Sequence, residues 1–355
     1  LAPARRAGII PPTCNFQPVT KNPVTQMIDN WNMLGHEWAV DMLRQHAARG
    51  EARHAYLFCG PPGLGRRTLA LHLAQALNCP HPIAPGVPCG TCRDCRQIEA
   101  MQHPDMNVVQ ADAEGGTLKV DQVREVQRAL SLKPYQAKYR VALFLRFQEA
   151  NDSAANALLK TLEEAPAHAL LLLTADTPEQ LLPTIVSRCE ILRMRPLPVK
   201  AIESYLLDQG VDEERARLLA HISGGRPGYA RKLVDDVTLL EKREEYLNDL
   251  QTLIPAPRVE KFSYAEKLAK DKDTMRQTFL IWLSYWRDVM LRVAGAETPL
   301  INVDRNMEIE FLAGRLDLPT ARRVVSDLES ALEKMERNVN SRLLAEILLL
   351  DWPKA

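Results

Sequence analysis

Short, continuously apolar runs alternate with helical segments through the first half of this chain, and that alternation constrains the fold more than any other feature. The runs are AYLFC (55–59), MNVVQ (106–110), YRVALFLRF (139–147), HALLLLTA (168–175) and CEILRMRPL (189–197). Before and between them lie HEWAVDMLRQHAARG (36–50), with helical periodicity and a glycine stop, RRTLALHLAQAL (66–77), VDQVREVQRAL (120–130) and DSAANALLKTLEE (152–164). Asp152 is the expected cap of the last of these helices. A strand that is apolar on both faces must be covered on both, so the pattern predicts a parallel sheet with helices on each side. After RPLP the strands stop. A small helical domain with an SGGRPG turn is expected over 197–242, and LIPAPRVEKF (253–262) interrupts an otherwise helical remainder over 243–355. The α/β domain is thus placed at 29–196.

The chain has 355 residues, 46% of them hydrophobic, enough for more than one core. Lys plus Arg and Asp plus Glu both number 45, so no net basic field marks it as an autonomous binder of nucleic acid. No apolar run approaches the ~20 residues of a membrane span. Residues 1–28 carry prolines and basic residues without an acid. They are taken as a disordered or cloning-derived arm, with a targeting arm as the alternative. With no secretory h-region in view, a cytoplasmic setting is expected.

GPPGLGRRTLA (60–70) joins the first strand to its helix. A working phosphate loop reads G-x-x-x-x-G-K-[ST]: backbone N–H groups cradle phosphate, the lysine reaches the β- and γ-phosphates, and the hydroxyl holds Mg²⁺. Gly60 and Gly65 have that spacing and Gly63 adds flexibility, but Arg66 stands at the lysine position and Arg67 at the hydroxyl position. Thr68 is one residue late, about 100° around the helix. Arg66 keeps the charge in a bulkier planar head. Arg67 cannot ligate a cation and would repel one. The strand that ought to end in metal-binding acids places Leu145 and Arg146 there, with Gln148 and Glu149 expected further on in a loop. Both Mg²⁺ ligands are missing together, so the sequence predicts a site that does not hydrolyse nucleotide. A turn kept for packing and residual nucleotide binding through the backbone both stay open.

Of seven cysteines, Cys79, Cys89, Cys92 and Cys95 cluster; Cys14, Cys59 and Cys189 stand apart. Overlapping C-x-x-C pairs plus one more thiolate can close a tetrahedral shell around a structural Zn²⁺, and the prolines and glycines of 80–90 suit a ligand-bearing knuckle. An iron–sulfur cluster is the alternative; His81 and His103 are possible competitors that the shell does not require. Arg188, in Ser187-Arg188-Cys189 before the last strand, is by itself either a solvated surface residue or an arginine able to reach a neighbouring subunit's phosphate.

Taken in order, RHAYLFCGPPGLG, the cysteine insert, NDSAANALLKTLEEAP, LLLTADTPEQLLPTIVSRCEIL and SGGRPGYA resemble the clamp loader subunits of bacterial DNA polymerase III, within the AAA+ superfamily. The match spans about residues 34–235; beyond 240 it rests on position and helicity alone. The motor branch (gamma/tau) keeps the lysine, the threonine and the acidic strand end. The delta-prime branch has a degenerate nucleotide site with the zinc knuckle and the Ser-Arg-Cys, and this chain is similar to that branch.

The resemblance implies a P-loop α/β domain with a zinc knuckle, a helical lid and an all-α collar for oligomerisation. It implies a stator without ATPase activity of its own, belonging to a complex that makes DNA (a nucleotidyltransferase). Arg188 would be an arginine finger acting in trans on ATP bound by a neighbouring subunit. Arg226 would match the sensor-2 arginine and Thr174 the sensor-1 position, both as remnants. The helix carrying Asn156, Lys160 and Glu163 would face DNA or another domain, unless it only packs Ala157, Leu158 and Leu162 on the sheet. Implied partners are gamma/tau, delta, the sliding clamp and primer-template DNA, with one Zn²⁺ per chain. The rivals are a motor ATPase using Arg66 as an unusual phosphate ligand, and a zinc-dependent interaction module unrelated to replication. No Ser/His/Asp or paired-carboxylate arrangement rises above background.

Overall fold

A computed structural model describes residues 30–112, 115–336 and 339–353. The expected arm of 1–28, with Cys14, lies outside the described residues. The strands are β1 (Ala55–Cys59), β2 (Met106–Val109), β3 (Arg140–Phe144), β4 (Ala169–Ala175) and β5 (Glu190–Arg193). They form one parallel sheet in the order β2-β3-β4-β1-β5. Every residue of β1 and β4 is buried, as strands in the middle of a doubly covered sheet must be.

Successive side chains of a strand point to opposite faces, and two cores follow from that. Tyr56, Phe58, Leu143 and Leu172 pack with Leu43 of α1 (Glu37–Arg49) and Leu69 and Leu73 of α2 (Arg66–Asn78). Leu57, Phe144, Leu171 and Leu173 pack on the other face with Val123 of α4 (Val120–Leu130) and Leu158 and Leu162 of α5 (Asp152–Glu163). Between α2 and β2 the cysteine insert carries the short helix α3 (Arg93–Glu99), and α6 (Pro183–Val186) precedes β5.

Beyond β5 come α7 (Val199–Asp208), α8 (Glu213–Ile222) and α9 (Pro227–Asp235), whose buried Ile202, Leu206, Leu219 and Leu233 make a small core. The remaining helices are α10 (Thr238–Leu253), α11 (Arg258–Leu268), α12 (Lys272–Val293), α13 (Asn306–Ala313), α14 (Leu318–Glu336) and α15 (Ser341–Leu350). They enclose a fourth core around Trp282, Trp286 and Trp352, with Trp282 edge-on to Trp352 at 4.9 Å. An α/β P-loop fold followed by a small helical unit and an all-helical region is the architecture that the sequence predicts. Among the described residues no helix is long and apolar enough to cross a membrane.

Local differences from the sequence reading have simple causes. The cap of α5 is Asn151, whose side chain accepts from the Ala154 N–H at 2.8 Å; Asp152 is the first helical residue, where its charge suits the helix dipole. The third strand stops at Phe144 because Arg146 takes a left-handed conformation (φ 51°), and Phe147–Glu149 form a 3₁₀ turn rather than open loop. The last strand ends at Arg193, short of Leu197.

One buried carboxylate fixes the approach to β3. Asp105 accepts the backbone N–H groups of Tyr135, Gln136 and Ala137 at 2.7, 2.7 and 2.9 Å, with Arg140 at 3.8 Å. Burial pushes its pKa up, but those three donors and Arg140 outweigh this and hold it below the ordinary carboxylate range. Its stabilisation is therefore present above the unfolded value of ~3.9 and is lost as pH falls through the lower folded value. Asp105→Asn should cost about 1–3 kcal/mol at neutral pH and flatten the acid limb of the stability curve. A urea midpoint equal to that of the parent at pH 7 would show the carboxylate to be dispensable.

Candidate functional site

The glycine loop leaves the C-terminal end of β1, between β4 and β5, on the edge of the sheet where α/β folds present their ligand sites. Gly60 has φ 144°, and a Cβ there would lie 2.6 Å from the Met194 carbonyl oxygen, so only glycine lets the chain turn between β1 and the end of β5. Its N–H donates to the carbonyls of Ala175 and Asp176 at 3.3 and 3.0 Å, which ties the loop to the end of β4.

Arg66 begins α2 and is buried. Its Nη1 donates to Asp176 Oδ1 at 2.7 Å. The cation at the lysine position is thus balanced by a carboxylate of the chain itself, at the end of the neighbouring strand. Arg67 and Thr68 are exposed on the first turn of α2. At the strand end that would carry metal-binding acids, Leu145 is buried in the core. Arg146 Nε pairs with Glu149 Oε1 at 2.8 Å, and the same oxygen accepts the Gly115 N–H at 2.9 Å. Thr174 is buried; its hydroxyl accepts the Arg146 N–H at 2.9 Å and donates to the Phe144 carbonyl at 3.4 Å. That hydroxyl serves as a tie between β3 and β4.

The start of α9 closes over the loop from the other side. The Gly228 N–H donates to the Gly63 carbonyl at 2.8 Å, and a Cβ on Gly63 would meet the Tyr229 nitrogen at 3.1 Å. Arg226 donates through Nε to the Ser223 carbonyl at 2.7 Å and stacks its guanidinium 4.5 Å from the Tyr229 ring centre. Its burial lowers its pKa, and the neighbouring Tyr229 offsets this only in part. Met33, before α1, packs its methyl against Gly65. Gly60, Gly63, Gly65 and Arg66 therefore meet β4, β5, α9 and the segment before α1.

That segment also holds the cysteine insert. The Trp31 indole donates to the Gly86 carbonyl at 3.1 Å, and Gly86 lies so close to the Arg44 backbone that a Cβ would stand 2.3 Å from its oxygen. In the insert the sulfurs of Cys79, Cys89, Cys92 and Cys95 lie within 4.8 Å of one another, with Cys79–Cys89 at 3.5 Å and Cys89–Cys95 at 3.9 Å. Four sulfurs ~2.3 Å from one ion would stand ~3.8 Å apart in a tetrahedron, so the donors could hold a metal ion.

The N–H groups of Cys89, Cys92 and Cys95 each point at one of these sulfurs, at 3.3–3.4 Å, an arrangement that would support thiolates around an ion. Burial raises the Cys89 thiol, but the Cys92 and Thr91 amides and neighbouring thiols bring it down to about 6; burial pushes Cys95 up. His103 is occupied elsewhere, accepting the Asp105 N–H at 3.1 Å and facing Asp94 at 3.4 Å.

Arg188 stands apart from the loop, past α6. Its Nη1 donates to the Thr184 carbonyl at 2.7 Å and its Nη2 to Glu163 Oε1 at 2.6 Å, with about a third of the side chain exposed. Asn156, Lys160 and Glu163 share the exposed face of α5, while Ala154, Leu158 and Leu162 pack inward and Ala157 is half-buried. The sequence reading missed Asp176, Gly228, Met33 and Trp31. Each acts through a long-range contact and none belongs to a local spacing, although an acid following a strand beside a glycine loop is a signal for the first.

Two family profiles match the chain: DNA polymerase III, delta subunit, over residues 35–198, and DNA polymerase III, delta subunit, C terminal, over residues 238–354. DNA polymerase III subunit delta' of Pseudomonas aeruginosa is 31% identical over 328 residues, covering 89% of this chain and 97% of that one. The delta' subunit of Bacillus subtilis is 30% identical over 84% of this chain and 90% of that one. DNA polymerase III subunit tau of Escherichia coli is 33% identical over 58% of this chain and 32% of its own length. Among solved structures, a DNA polymerase III gamma subunit-related protein of Thermotoga maritima is 18% identical, covering 88% of this chain and 97% of that one, with a TM-score of 0.40. The RuvB Holliday junction branch migration motor of the same organism is 19% identical, covering 61% and 64%, with a TM-score of 0.39.

The ion pair at the loop yields a test. Asp176→Ala leaves the Arg66 cation buried without its partner and should lower stability by about 1–3 kcal/mol. Adding Arg66→Met, which removes the cation as well, should restore most of the loss. A double variant as unstable as Asp176→Ala alone would mean the two side chains are not coupled.

Proposed function

The chain belongs to the delta' family of DNA polymerase III subunits, and on that premise we propose that it is the non-catalytic, stator-like member of the clamp loader. It would help load the sliding clamp at primed DNA beside the ATP-hydrolysing gamma/tau subunits and the delta subunit. One observation carries the non-catalytic part: Arg66 makes a 2.7 Å ion pair with Asp176 where a working loop would offer its cation to phosphate. The arginine at the acid position, Arg146, points the same way, since its pairing with Glu149 leaves no carboxylate there for Mg²⁺. The four apolar cores, two on the faces of the sheet and one in each helical unit, support a division into an α/β domain (29–196), a lid (197–242) and a collar (243–355), the last joining the other subunits.

In this reading Arg188 serves a neighbour. A guanidinium at the edge of the α/β domain can approach the γ-phosphate of ATP held by an adjacent motor subunit and stabilise charge that develops during transfer. Lys could not reproduce the planar, forked donor set. The four thiols suit Zn²⁺, which would cross-link the insert and, having no open coordination position, take no part in chemistry. Through Gly86 and Trp31 the knuckle would then brace the segment that packs on Gly65.

Two outcomes are expected. In a complex rebuilt with gamma/tau and delta, Arg188→Ala should leave the chain's melting temperature unchanged and cut DNA-stimulated ATPase. The site it serves should lose ~10³–10⁵ in rate if this arginine acts as related fingers do. Unchanged turnover in that complex would sink the trans role. For the knuckle, fresh protein should contain about one zinc per chain, and chelation or Cys92→Ser should release it and lower the melting temperature. Metal analysis that finds no zinc would overturn that assignment.

A further inference from the structure

Arg188 does not wait free. Both terminal nitrogens of its guanidinium are taken by acceptors of its own chain: Nη1 by the Thr184 carbonyl at 2.7 Å, with Ser187 Oγ at 3.4 Å, and Nη2 by Glu163 Oε1 at 2.6 Å. The two acceptors differ in kind. The Thr184 carbonyl belongs to α6, the short helix that leads into Arg188, so this bond folds the guanidinium back onto its own local backbone. Glu163 comes from the last turn of α5, and half of its side chain is exposed. A carboxylate at a helix C-terminus faces the negative end of the dipole and gains from any nearby cation. Lys160 lies three residues earlier on the same exposed face, within reach of a released carboxylate.

We infer that Glu163 is a positioning residue for Arg188: it holds the guanidinium through Nη2 and occupies, in the isolated chain, the place that a partner's phosphate oxygen takes in the complex. This rests on the trans role proposed for Arg188 and deepens it. Engagement is then an exchange of anions. Nη1 keeps Thr184 and so keeps the head aimed; Nη2 gives up a carboxylate and accepts a phosphate oxygen in its place; Glu163 turns to water or Lys160. Because an exposed pair is weak and is screened by salt, the hold is a light one that a fully charged triphosphate can displace.

The carboxylate must leave both for the bound ground state and for the transition state, so its removal should appear in KM and not in kcat. In the rebuilt complex, Glu163→Gln is expected to lower the KM for ATP by ~2–5-fold at low salt with kcat unchanged, the difference shrinking as salt is raised. Glu163→Asp, which keeps the charge, should return KM toward the parent value. In an Arg188→Ala background, Glu163→Gln should have no effect.

If Arg188→Ala cuts turnover but Glu163→Gln leaves KM unchanged, the exchange is refuted while the trans role stands. A KM change that persists without Arg188 would also refute it. If Arg188→Ala itself leaves turnover untouched, both fall together.

Discussion

A guanidinium taken out of water needs an anion beside it, and at Arg66 that need shapes the centre of the molecule. The side chain is buried at the first turn of α2, where the free N–H groups and the positive end of the helix dipole already disfavour a cation. Asp176 supplies the balancing charge from the end of β4 at 2.7 Å. In a phosphate loop a ligand plays that part: the helix end, the backbone donors and the lysine all await negative charge from outside. Here the charge comes from inside the chain. The strand–loop–helix path is that of a phosphate loop, and the buried cation at its helix start is balanced by the chain's own Asp176.

The loop is held from several directions. Gly60 is tied to β4, Gly63 to Gly228 of α9, and Gly65 is covered by Met33. Met33 stands two residues from Trp31, which is pinned to the cysteine insert through Gly86. The α8 side has its own anchor. The His221 ring meets the Leu300 carbonyl at 2.7 Å; next to it, Asn302 and Asp304 receive the buried Arg243 of α10, and Asp288 of α12 receives the Asn302 amide. A chain of short polar contacts thus runs from the glycine loop through α9 and α8 into the helical region. Moving the start of α9 would break the Gly228–Gly63 bond to the loop and the Arg226–Ser223 bond to the end of α8.

Much of the fold was legible because it depends on local pattern. Runs such as HALLLLTA and YRVALFLRF can be buried only as central strands, and they are β4 and β3. The cysteine spacing was equally informative, since overlapping C-x-x-C turns bring sulfurs together whatever the rest of the chain does. What escaped was settled at longer range or by a single dihedral. Asn151 rather than Asp152 caps α5 because the cap residue must be extended, and two adjacent residues with capping side chains do not reveal which one is. The strand after Arg140 ends early because Arg146 turns left-handed, a conformation nothing in the sequence of an arginine announces. Asp176 lies 110 positions from Arg66, and no periodicity links them.

The two arginines in question therefore differ in surroundings more than in chemistry. Arg66 sits at about a tenth of its side-chain exposure against one fixed carboxylate; Arg188 keeps about a third exposed against a carboxylate that is itself half in water. In the first pair, separation leaves a desolvated charge, so the pair is effectively permanent. In the second, each partner can be resolvated on leaving, so a stronger anion can take the guanidinium at little cost. Burial alone makes one of these ion pairs hard to separate and leaves the other exchangeable, and this difference is the physical basis of the proposal that the loop is inert and that Arg188 at the domain edge is directed at a partner.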